Sequence, residues 1–140
     1  MAGSNQGLLW VMRILSAIIL LTAGGFHGYL VAFAGVGGTL GVLFVLHTIG
    51  SLVLGVGMLV TRGWLLRLTT VLSLLYVIVS LLSLFLALTV GLFGISETWT
   101  FTLVPETIIV EAIGIVVLAI TTAVVFRTQR HASSSEPARA

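Results

Sequence analysis

The chain has 140 residues, of which 59% are hydrophobic and only 7% charged, and its mean hydropathy is +1.26. A water-soluble domain carries about 25% charged residues, so this composition excludes a soluble globule and makes the bilayer the solvent. The absence of Cys excludes disulfides and thiolate metal ligands, and a net charge of +2 scattered along the chain excludes a nucleic-acid-binding surface.

Four apolar segments follow in order. Each is near or above the ~20 residues that cross ~30 Å of hydrocarbon as a helix. In lipid the backbone must satisfy its own hydrogen bonds, so such segments fold as helices. The first covers about 8–31. No basic stretch precedes it and Arg13 lies within it, so it reads as a retained helix and not a cleaved signal peptide. The second covers about 38–60, the third about 64–92 and the fourth about 105–126. Pro105 suits the first turn of the fourth, and Glu106 complements its dipole. Residues 127–140 end in HASSSEPARA, which offers nothing apolar to bury and reads as a disordered cytoplasmic tail. The expected fold is all-α: a multi-pass membrane protein with four transmembrane helices in one antiparallel bundle spanning 1–126, and no soluble domain.

Orientation follows the arginines. Arg13, Arg62, Arg67, Arg127 and Arg130 all fall at one end of the expected bundle. The connections at the other end carry no basic residue, and one of them carries Glu97 and Glu106. The positive-inside rule then puts both termini in the cytoplasm of a plasma-membrane protein. Trp10, Trp64 and Trp99 fall at expected interfaces, as an aromatic belt requires.

Small and weakly polar residues mark the faces on which membrane helices pack. On helix three, Thr69, Ser73, Tyr76, Ser80, Ser83 and Ala87 recur at alternating spacings of four and three, giving an interior polar stripe. On helix one, Arg13, Ser16, Leu20, Gly24 and His27 share a face, and Gly24 and Gly28 form a close-approach motif. Ser51 and Gly55 do the same on helix two, as does Gly114 on helix four.

Three ionisable residues lie inside the helices: His27, His47 and Glu111. At 1.5 Å rise per residue, Glu111 falls roughly 9 Å and His47 roughly 9–14 Å below the outer interface, with His27 shallower. A charge at such depth is expensive and needs a partner or a cavity. Three readings fit. The groups form a hydrogen-bonded cluster that specifies packing. They ligate a cofactor, since two His can hold a haem and His with carboxylate can hold a divalent metal. Or they handle a proton or bind a quinone or other small ligand. No catalytic set and no metal site is assigned, because the chain has no Cys, Asp or Lys and no nucleophile elbow. Gly35, Gly37, Gly38 and Gly41 form no phosphate loop, and Gly91 and Gly94 close helix three.

The segments GGFHGYL, VLFVLHTIGSLVLGVGMLV, TVGLFGISETW and IIVEAIGIVVLA together resemble a family of small four-helix integral membrane proteins of high-GC Gram-positive bacteria. In that family a GLFGF-x-E-x-W-like segment leads into a last helix opening on Glu-Ala. The likeness covers most of 9–126 and is most specific over 89–99. It implies the four-helix topology and no reaction. In that family the position of His47 is more often an amide such as Asn or Gln, which implies a hydrogen-bonding role there in preference to a haem ligand. A looser, architectural likeness is to DoxX-like membrane proteins. The resulting expectation is a non-enzymatic accessory or structural subunit, or a small-ligand-binding module. The rival is a redox subunit holding haem or quinone between helices one, two and four. The expected partners are the lipid bilayer and other membrane subunits or a second copy, with no nucleic acid.

Overall fold

The structure is a computed structural model that describes the backbone of residues 2–134 and the side chains of 6–130. Its described residues form four helices: α1 (Ala2–Ala32), α2 (Gly38–Val60), α3 (Gly63–Thr89) and α4 (Val104–Ser134). Each contains a stretch long and apolar enough to cross a membrane. α1 packs against both α2 and α4, and α4 against α3, while α2 and α3 touch much less. The bundle is therefore closed on three sides and loose on the fourth. One end carries the α1–α2 and α3–α4 connections, called here the two-loop end. The other, the termini end, carries the α2–α3 turn.

Three helix limits differ from expectation, the first being that α1 begins at Ala2 and not near residue 8. α3 stops at Thr89 and not near residue 92. Gly91 adopts φ +82°, the left-handed region that glycine enters without penalty, and Val90 and Gly91 both donate to the Leu86 carbonyl. α4 instead continues to Ser134, past the expected start of a disordered tail at 127. Thr128 Oγ1 donates to the Val124 carbonyl, and Gln129 Nε2 donates to the Gly63 carbonyl at 3.0 Å, which ties this turn to the α2–α3 connection. Residues 135–140 lie outside the described residues.

The core is small: Ala17, Leu20, Met58, Val77 and Leu118. Most other Leu, Ile and Val side chains, such as Ile18, Leu52, Val53, Val79 and Leu82, face outward, as a lipid-solvated surface requires. Close packing comes from missing side chains. A Cβ at Gly24 would lie 2.6 Å from Ser51 Cβ, and one at Gly114 would lie 2.9 Å from Ile19 Cγ2. Hydroxyls add specific links, such as Ser16 Oγ to Thr121 Oγ1 at 2.9 Å between α1 and α4.

At the termini end Arg13 closes α2. The last carbonyls of any helix lack intrahelical partners. Arg13 Nε donates to the Met58 carbonyl at 2.6 Å, and its Nη2 donates to the carbonyls of Leu59 and Thr61, each at 2.8 Å. The guanidinium also lies 4.5 Å from the Trp10 ring centre.

Candidate functional site: a His–Ser–Glu cluster beside a membrane-facing cavity

His27 from α1, His47 from α2 and Glu111 from α4 meet at one point. One donor atom from each lies within 4.8 Å of the others. The depth difference expected between the histidines is absent, since their rings stack at 3.8 Å and 28°. The register explains this. Gly24 faces Ser51 and Gly28 faces Thr48, so α2 begins beyond the end of α1 and must travel further to reach the same level.

The hydrogen bonds assign the tautomers. His27 Nδ1 lies 2.8 Å from the Ala23 carbonyl. A carbonyl only accepts, so Nδ1 carries the proton and Nε2 is left with a lone pair. Ser80 Oγ donates its single proton to Glu111 Oε1 at 2.5 Å. Its contact with His47 Nδ1 at 3.4 Å is then one in which Ser80 accepts, and His47 Nε2 is bare as well. His47 Nε2 and Glu111 Oε2 are buried with no hydrogen-bond partner in the structure.

Tyr76 from α3 frames the cluster. Its hydroxyl donates to the His47 carbonyl at 2.5 Å and accepts from Ser51 Oγ at 3.2 Å. Its ring sits 4.8 Å from that of His47. Phe44 meets His27 edge-on at 4.8 Å. Gly50 leaves the room Tyr76 needs: a Cβ there would lie 2.9 Å from Tyr76 Cε2.

Beside the cluster, where α2 and α3 part, lies a cavity of about 670 Å³. His27, His47, Tyr76, Ser80 and Thr107 supply polar lining, and leucines of α2 and α3 supply much of the apolar wall. Glu111 stands behind Ser80, outside the lining. The α3–α4 connection covers the two-loop end of the cavity with Phe93, Ile95, Glu97 and Phe101. It is shaped by a two-residue turn at Phe93 (φ 51°) and Gly94 (φ 77°) between the bridged Leu92 and Ile95. Leu46, Leu75 and Val79 line the cavity and are also exposed, so it opens sideways between α2 and α3.

The other residues marked from the sequence sit apart from the cluster. Ser73 is fully buried with no hydrogen-bond partner. Ser83 Oγ donates to the Val79 carbonyl and lines the cavity. Gly24, Gly28 and Gly55 face Ser51, Thr48 and Leu21 across the α1–α2 contact. Ser80 and Tyr76, read from the sequence as interior packing, turn out to join His47 to Glu111 and to Ser51. The signal was their position on the same helix face, but nothing in the chain order says that α3 lies opposite His47.

A haem held by both histidines does not fit this geometry. Axial imidazoles approach the iron from opposite faces of the macrocycle, whereas these rings lie face to face. Compared with protein-family models, curated proteins and solved structures, the chain matches none.

Proposed function

We propose that this is a plasma-membrane protein, with both termini in the cytoplasm, whose bundle binds one small amphiphilic molecule taken up from the outer leaflet. The observation that carries the reading is the cavity between α2 and α3, with apolar walls, a polar side at His47, Tyr76 and Ser80, and an opening toward lipid. Ligand sites share this construction: a largely apolar concavity with a few convergent polar groups. A ligand would place its hydrocarbon part against the leucines and a carbonyl or hydroxyl head on Ser80 and the histidines. A quinone has that form. The orientation rests on the arginines at the termini end and their absence from the two-loop end. Membership of the high-GC Gram-positive family is part of the same proposal and rests on the GLFGISETW segment.

The test is extraction of protein purified from native membrane in mild detergent, followed by mass spectrometry of the organic phase. One amphiphile is expected at near one molecule per chain, and it should be lost in Ser83→Phe, which fills the cavity. Recovery of bulk phospholipid alone, in equal amount from both proteins, would remove the reading.

A further inference from the structure

The cluster itself has a chemistry that does not depend on what fills the cavity. We propose that His27 Nε2, His47 Nε2 and Glu111 Oε2 form a binding site for a divalent first-row transition-metal ion of the Zn²⁺ type.

Several observations converge on it. A metal needs lone pairs, and the hydrogen bonds to the Ala23 carbonyl and to Ser80 leave both Nε2 atoms unprotonated. A neutral imidazole whose other nitrogen donates to a fixed acceptor is how metal-bound histidines are oriented. The carboxylate is likewise held by one oxygen, through Ser80, with the other free. Glu111 is 1% exposed, and its Oε2 and His47 Nε2 have no partner. Buried polar atoms are seldom left so, because each costs about 1–3 kcal/mol. An ion would satisfy all three donors at once.

Distances agree. Bonds of ~2.1 Å in a tetrahedral site put donors ~3.4 Å apart. One donor atom of each residue lies within 4.8 Å of the others, so side-chain adjustments of roughly 1–1.5 Å bring the three residues to that spacing. The donor types select the metal. Two imidazoles and one carboxylate suit Zn²⁺, Fe²⁺, Mn²⁺ or Co²⁺, whereas Ca²⁺ and Mg²⁺ take all-oxygen shells. Two neutral imidazoles and one carboxylate leave a divalent site with net charge +1. In a low-dielectric interior that charge favours an anionic or strongly dipolar fourth ligand, and both histidines border the cavity from which one would come.

The test uses the full-length protein in detergent, stripped with chelator and titrated with Co²⁺. We expect one ion per chain, with the d–d absorption of a four- or five-coordinate site. Glu111→Gln should weaken binding by tenfold or more. Ser80→Ala, which removes no metal-binding atom but loses the contacts that orient His47 and Glu111, should weaken it by about 10- to 100-fold. Equal binding by wild type and the double variant His27→Gln/His47→Gln would overturn the site and move binding to residues elsewhere, such as His131. No binding by wild type overturns it too. A measurement on wild type alone guards against misfolded variants: X-ray absorption of the Zn²⁺-loaded protein should show two imidazoles, and an all-oxygen shell sinks the proposal. Ser83→Phe retains all three donors, so Co²⁺ binding there is read independently of amphiphile loss.

Discussion

At the termini end Arg13 is 5% exposed and places three N–H bonds on the carbonyls of Met58, Leu59 and Thr61. At the two-loop end Glu111 is 1% exposed, with one oxygen bonded to Ser80 and the other to nothing. Both are ionisable groups buried in a bundle with very few of them. The arginine answers a need of the fold, since the end of α2 would otherwise present bare carbonyls in an apolar setting. The glutamate answers no such need: α4 is complete without it. A buried charge whose hydrogen bonds close a helix is architecture. One that retains unused lone pairs, next to two bare imidazole nitrogens and a cavity, has capacity left for a ligand.

The contrast breaks most directly at Arg13. Arg13→Met keeps the bulk of the side chain but leaves three carbonyls without their donor. We expect a loss of about 3–5 kcal/mol, by analogy with removing one partner of a buried charged pair. Thermal unfolding in detergent measures it. Arg13→Lys should recover only part, because an ammonium cannot reproduce the planar fork that reaches separate carbonyls. If Arg13→Met melts like wild type, the arginine is not the closure of α2.

Much of the architecture was legible in the residues. Four apolar runs, arginines at one end and small residues at helical spacing lead to the bundle and to α1 faces such as Ser16, Leu20 and Gly24. The limits of α3 and α4 were less so. Gly91 alone does not say which of several glycines turns left-handed, and Gln129 reaches Gly63 only once the bundle has formed. The cluster was visible as three residues but not as a network. Whether Ser80 faces Glu111 or lipid depends on the ring order of the helices, which periodicity does not contain. The residues point to a ligand pocket between helices one, two and four, whereas the cavity lies between α2 and α3; that place was not visible, because it arises from a weak contact between those two helices and not from any residue.

A second effect concerns the scaffold that levels the two histidines. Gly24→Ala puts a methyl 2.6 Å from Ser51 Cβ, so α1 and α2 must separate. The expected cost is about 1–3 kcal/mol. Ser51→Gly on that background should restore part of it, and the double-mutant cycle reads the coupling. Additive losses would mean that the two helices do not meet at this register.

Glu111→Gln sharpens the comparison from the other side. The amide oxygen still accepts from Ser80, and the substitution keeps the shape of the side chain. In metal-free protein the stability change should therefore stay within about 1 kcal/mol, and loss of an uncompensated charge favours the variant. A loss as large as that of Arg13→Met would make Glu111 architectural like the arginine.

The smallest effect lies in the segment covering the cavity. Glu97 sits outside the membrane-spanning helices, and burial raises its carboxyl above the ordinary value of 4.5. A raised value means that the folded segment holds the proton more tightly than the unfolded one. Its contribution to local stability is then fully present below the ordinary carboxylate range and is lost as pH rises through the raised value. The amides of Ile95 and Glu97, which donate to the Leu92 and Ala87 carbonyls at 2.8 and 2.9 Å, report on this segment. Their hydrogen-exchange protection, corrected for intrinsic rates, should fall across that window in wild type and stay flat in Glu97→Gln. Arg13 does not titrate in that range, so the amides at the end of α2 serve as the internal reference. A parallel fall at both ends would indicate global loosening of the bundle instead of an opening of the segment over the cavity.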